Sequence, residues 1–230
     1  MPSWRLWIHS LKHLTIPTNQ PSLVTLDLAT LFAAPSSPTL FNFYRDNDPA
    51  YDVPDGARLR RENLERYIKS WDGPDVLLVA EAPGPNGARF SGVPLTPEAF
   101  FLDPEHTLFG LSPTSRSAEM GRPHAEYSGG IVRRVLAPYA GRVAIWNAVP
   151  LHPHRAGEPR SIRTPSRADV RAWSPLLESV VQAVRPSIVL AVGRIAERSL
   201  TDLGVEATYI RHPSQGGAVL FAEGVRNALG

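Results

Sequence analysis

Glu81, Asn147 and His212 are the residues best placed to do chemistry, because each stands where an apolar run stops. Glu81 opens the string Glu-Ala-Pro-Gly at residues 81–84, a carboxylate beside a rigid turn whose glycine lets backbone N–H groups approach a ligand closely. An ordinary strand-exit turn with a solvated Glu81 is the competing reading. Asn147 carries acceptor and donors on one amide, the set needed to read the Watson–Crick edge of a base, and a satisfied turn asparagine would look the same. His212, before Pro213 and Ser214, can donate to an oxyanion or serve structure alone. His152 and His154 can share a strand face and invite a metal reading. No carboxylate stands at zinc-site spacing, so no metal is expected, and Arg155, Arg160 and Arg163 turn the preference toward phosphate. Those arginines equally suit a solvated loop.

The elements that must hold these residues follow from periodicity. Residues 75–81 (DVLLVAE), 142–146 (RVAIW) and 187–192 (SIVLAV) are short continuous apolar runs ending in loops, which reads as buried parallel strands. A fourth strand is expected at 207–210. Residues 57–71, 167–184 and 195–203 repeat apolar side chains every three to four positions and are expected as helices, with a last helix within 216–229. Alternation of this kind predicts an α/β fold, a three-layer α/β/α sandwich around a mainly four-stranded parallel sheet, with ligands beyond the carboxyl ends of the strands. Pro35, Ser36, Ser37 and Pro38 form a breaker cluster, so residues 1–38 are expected as an N-terminal extension, disordered or an over-called start, and 39–230 as the domain.

Composition narrows the partners. There are 0 Cys, which excludes disulfides, cysteine-ligated zinc, iron–sulfur clusters and thiol catalysis while leaving the compartment open. Net charge is only +2, yet residues 110–171 hold ten arginines against four acids, a local excess suited to an anionic partner such as nucleic acid. No apolar run is long enough to span a membrane, and none is expected as a partner.

The order of the motifs carries more than each alone. Glu-Ala-Pro-Gly at 81–84, Gly-x-Pro at 92–94, strand-end Asn147, Arg-Thr-Pro-Ser at 163–166, Ala-Val-Gly at 191–193 and His-Pro-Ser at 212–214 resemble the uracil-DNA glycosylase superfamily over about residues 41–229. The chain is most similar to the branch whose first motif is GEAPG, with Ala80 where that branch has its first glycine. The resemblance implies Glu81 and His212 as catalytic residues, with His212 stabilising charge on the uracil O2. It implies Ala82, Pro83, Gly84, Leu95 and Asn147 around the base, and Arg163, Ser214, Gln215 and Gly216 on DNA, with the 215–219 loop filling the vacated stack. It further implies DNA containing uracil or another deaminated base as partner, base flipping, no cofactor, a monomer, and a cytoplasmic place, at the nucleoid in a bacterium.

The departures are specific. Leu151 and Trp173 stand where that branch has cluster cysteines, and bulky apolar side chains can fill that region. Ala82 replaces the Asp or Asn that activates water in other branches, leaving Glu81 as the nearby carboxylate. Leu95 replaces the phenylalanine that stacks on the base, with Phe90, Phe100 and Phe101 as alternates. Ala82 and Leu95 motivate the second reading, a DNA- or nucleotide-binding protein on the same scaffold that has lost hydrolysis.

Overall fold

The run Val76–Ala80 has no polar face to offer water, so it can be stable only with both faces covered and both edges paired. The computed structural model, which describes residues 26–101 and 111–230, places it at the centre of the sheet. In chain order the elements are α1 (Leu28–Ala33), β1 (Leu40–Phe41), α2 (Gly56–Lys69), β2 (Val76–Ala80), α3 (Ala88–Ser91), α4 (Arg116–Glu119), α5 (Tyr127–Leu136), β3 (Val143–Asn147), β4 (His152–Pro153), α6 (Arg167–Val184), β5 (Ile188–Val192), α7 (Arg194–Asp202), β6 (Thr208–Ile210) and α8 (Ala218–Leu229). The sheet order is β3-β2-β5-β6, all parallel. Alternate side chains divide between two cores. Leu77, Val79, Ala144, Trp146, Val189 and Ala191 face the α2, α6 and α7 layer. Val76, Leu78, Leu190, Val192 and Ile210 face α5 and α8. This is the expected three-layer sandwich.

Local chemistry sets the element ends. Ser166 caps α6 in a reciprocal box with Asp169, so the Arg-Thr-Pro-Ser motif is also a helix start. Leu151 and Trp173, the bulky apolar side chains expected to fill their region, are both buried in the core on the α6 face. Strand β3 forms one edge of the sheet, and the buried Tyr67 hydroxyl blunts it by accepting from Ile145 N (2.7 Å) and donating to Ile145 O (3.1 Å). Helix α5 was not expected; its Gly129 and Gly130 weaken the helical pattern.

The N-terminal border lies elsewhere than expected. Residues 1–25 are outside the described residues, but 26–38 belong to the packed domain. Leu31 is fully buried, and the buried Asn42 amide donates to Leu31 O and Ala34 O at 2.7 Å each. The breaker cluster at 35–38 is a turn inside the domain, because the segment before it plugs the core.

A buried ionic cluster joins α2, α3 and the 48–52 segment. Asp52 accepts from Arg60 (3.0 Å) and from Arg89 (3.1 Å), all three side chains being at most 1% exposed, and Arg89 also reaches Asp48 (3.1 Å). Glu98 accepts from Ser115 N (2.9 Å) and Ser115 Oγ (2.6 Å). These contacts tie the loop after β2 to segments distant in sequence. On the other flank, β4 pairs antiparallel with β1, and buried His152 donates through Nδ1 to Pro83 O (2.8 Å). Burial pushes the His152 imidazole down to about 4.

Two stability measurements test this packing. A chain starting at Thr39 loses Leu31 from the core and leaves the Asn42 amide without acceptors; urea unfolding should show a loss of about 3–5 kcal/mol. An unchanged midpoint would return the border to residue 38. For His152 the folded value lies below the unfolded one of about 6.5, so protons favour the unfolded chain as pH falls through 6.5 toward 4. Unfolding at pH 5 should therefore show about 2 kcal/mol less stability from this group than at pH 7. In His152→Gln that part of the pH dependence should vanish.

Candidate active site

Parallel strands end on the same side, and the register is set residue by residue: Ala80 pairs with Asn147, and Val79 with Ala191. The residues after these ends therefore meet at one rim, around a cavity of about 460 Å³. Glu81, Ala82, Pro83, Gly84, Leu95, Asn147, Arg163, His212, Ser214 and Gln215 all line it. Gly216 is the exception among the expected site residues. It sits in the turn behind Gln215, where positive φ at both residues (51° and 77°) and a Gly217 N–H to Ser214 O bond of 3.0 Å make a tight reversal.

His212 is held in one tautomer by its neighbours. Ser214 N–H donates to its Nδ1 (3.1 Å), and Ser214 Oγ lies 2.7 Å from the same atom. With Nδ1 as acceptor, the neutral ring carries its proton on Nε2. Burial lowers the His212 pKa, with Glu81 pulling it up and Arg211 pushing it down, so the ring is neutral at pH 7 and able to donate. Asn147 is 3% exposed and its Oδ1 has no hydrogen-bond partner among the described residues. A buried carbonyl oxygen left without a donor costs free energy that a ligand N–H can recover.

Glu81 is more constrained than a solvated strand-exit residue would be. Its Oε1 accepts the Ile195 N–H at the start of α7 (3.1 Å), and the carboxylate lies against Gly193, where a Cβ would overlap it. Gly193, with φ of +92°, is the one residue type that fits there. The first motif is thus clasped to the helix after β5. Arg163 is similarly committed: it donates to Asp169 (2.6 Å), Thr164 O (3.1 Å), Thr39 O (2.9 Å) and His154 O (3.2 Å), bracing the rim from inside.

The aromatic alternates to Leu95 do not line the cavity. Phe90 is fully buried, stacked on His124 at 3.7 Å beside the ionic cluster. Phe100 and Phe101 line a separate apolar hollow on the far side of Leu95. Leu95 itself is held at φ 51°, uncommon for a leucine. The aromatic ring present in the cavity wall is Tyr209, with the Arg194 guanidinium 4.1 Å above it. Sequence reasoning also missed Arg211 and Glu126. Arg211 was legible as the base preceding His212. Glu126 had no signal, being a lone acid before a helix hidden by glycines.

The electrostatic pairing is testable by imidazole NMR. His212 should titrate below the ordinary histidine value of about 6.5. Because the Glu81 charge raises it, Glu81→Gln should lower it further. A rise in the variant would show that the two side chains do not face one another.

The known proteins similar to this one agree with the architecture. The crystal structure of wild-type Pedobacter heparinus SMUG2 matches with a TM-score of 0.62 at 11% identity, over 90% of this chain and 96% of that one, which is a likeness of fold. No curated protein matches in sequence. The profile of the uracil DNA glycosylase superfamily matches residues 71–221, a span that holds all the cavity residues expected from the motifs. With about two thirds of its length inside that profile, the chain belongs to the uracil DNA glycosylase superfamily.

Proposed function

We propose that the protein hydrolyses the N-glycosidic bond of uracil, or of another deaminated base, in DNA. Superfamily membership supports a DNA glycosylase-type function. The uracil reading is carried by one observation: the unpartnered, buried Asn147 Oδ1 shares a cavity with a neutral His212 whose Nε2 bears the proton. Uracil presents an N–H donor to the first and a carbonyl oxygen to the second.

The target nucleotide leaves the stack, at a cost of a few kcal/mol, and enters the cavity. Asn147 Oδ1 accepts the base N–H. His212 donates to the carbonyl oxygen on which negative charge grows as the bond breaks, a bond strongest when the charge is fullest. The DNA contacts fall to Ser214, Gln215 and Gly216. Arg211, which forms no ion pair among the described residues, adds a phosphate contact, whereas Arg163 orders the rim. Val219 and Leu220, 65% and 56% exposed just beyond this loop, are placed to fill the space the base vacates. In this reading the protein acts as a monomer on cytoplasmic or nucleoid DNA and needs no cofactor.

The test is base release from single- and double-stranded oligonucleotides with one deoxyuridine, read as alkaline strand cleavage. The parent should generate abasic sites, and His212→Ala or Asn147→Ala should slow release by about 100- to 1000-fold. Retained DNA binding with no abasic product from uracil, hypoxanthine or xanthine would favour the binding protein that has lost hydrolysis.

A further inference from the structure

We propose that Glu126 is the general base of the hydrolytic step, orienting the attacking water and taking its proton. The inference rests on the glycosylase reading above and concerns which residue activates water. Hydrolysis needs a lone pair near the reacting carbon that is free to accept a proton. Among the cavity side chains, Ala82 has no polar atom, Asn147 is an amide, and the His212 Nδ1 lone pair already receives Ser214 N–H. Glu81 is tied by Ile195 N–H and packed on Gly193. Glu126 is the carboxylate that remains.

Its surroundings set it apart from the other cavity carboxylate. Glu126 precedes α5 without capping it, and its carboxylate turns to the first-motif loop instead. There its oxygens lie against Gly84 and Gly87, and a Cβ at either position would overlap them. The loop that opens with Glu-Ala-Pro-Gly therefore wraps around this carboxylate. No described residue donates a hydrogen bond to it. Burial raises its pKa above the ordinary carboxylate value, which brings it nearer the pH at which a base works best.

The C1′–N bond breaks with its electron pair going to the base, whose anion His212 holds. The water oxygen forms the new bond to C1′, and its proton passes to Glu126 and then to solvent. The departing base anion takes a proton from solvent. The other charged or titratable groups around the cavity are Glu81, Arg163, Arg194, Tyr209, Arg211 and His212, so the pH profile must be read against variants and not assigned alone.

The experiment compares parent, Glu126→Gln and Glu126→Asp in single-turnover release of uracil from a deoxyuridine oligonucleotide, with binding to an uncleavable 2′-fluoro-2′-deoxyuridine oligonucleotide measured in parallel. Glu126→Gln should lose about 100-fold or more in rate and bind within twofold of the parent. The parent's rate should fall at acid pH through an apparent pKa above the usual carboxylate range, and that limb should vanish in Glu126→Gln. Glu126→Asp should keep the limb with a partial rate. Melting temperature checks folding, and the glutamine variant should melt no lower than the parent, since a desolvated charge has been removed. A Glu126→Gln enzyme within threefold of the parent, or one losing binding and rate equally with the limb intact, overturns the inference while leaving the glycosylase reading standing. A parent that releases no base overturns both.

Discussion

Parallel pairing of β2 along both edges is the constraint on which the rest of the molecule depends. A strand with no polar face must find every hydrogen bond in its neighbours and every contact in the layers above and below. Parallel neighbours bring their ends to the same side, so the exits of β2, β3, β5 and β6 converge without any one of them being a binding element itself. A one-residue slip of β2 would exchange the two faces of the sheet and part Ala80 from Asn147. The cavity's position is thus a consequence of backbone pairing, and its chemistry is what the exit residues add.

Two carboxylates meet in that cavity with different duties. Glu81 is bonded at the start of α7, beside the glycine that leaves it room, and so fixes the first-motif loop to the next crossover. It still contributes its charge to His212. Glu126 comes from the other face, before α5, and meets the same loop without a hydrogen bond to its carboxylate from the described residues. Identical groups are distinguished by what surrounds them, which is how one cavity can keep one acid as a brace and leave another available.

The floor beneath is held by polar contacts rather than by apolar packing alone. Asp52 serves two guanidinium groups at once, Glu98 gathers the backbone and hydroxyl of Ser115, and His152 holds the Pro83 carbonyl. Buried ions of this kind add little net stability over an apolar core, because desolvation offsets their attraction. They do fix direction, and His152 holds the first-motif loop, whose residues Ala82, Pro83 and Gly84 line the cavity.

Much of the fold was legible because its signals are local. Short apolar runs read at 75–81, 142–146 and 187–192, and the helical period over 167–184, each follow from how side chains alternate along a strand or wind around a helix. Strand-end Asn147 and His212 were readable for the same reason, since an exit residue in a parallel sheet faces the ligand rim. By itself the sequence determined the layers, the rim, ten of the residues that line it, and the absence of any thiol chemistry. Only the tertiary structure decided what those residues have left to give: that Arg163 and Glu81 are engaged internally, that Phe90, Phe100 and Phe101 face elsewhere, that Leu31 plugs the core, and that Glu126 reaches Gly84. These depend on groups far apart in the chain occupying one volume, and neither periodicity nor motif spacing carries information about which distant side chain will fill a gap.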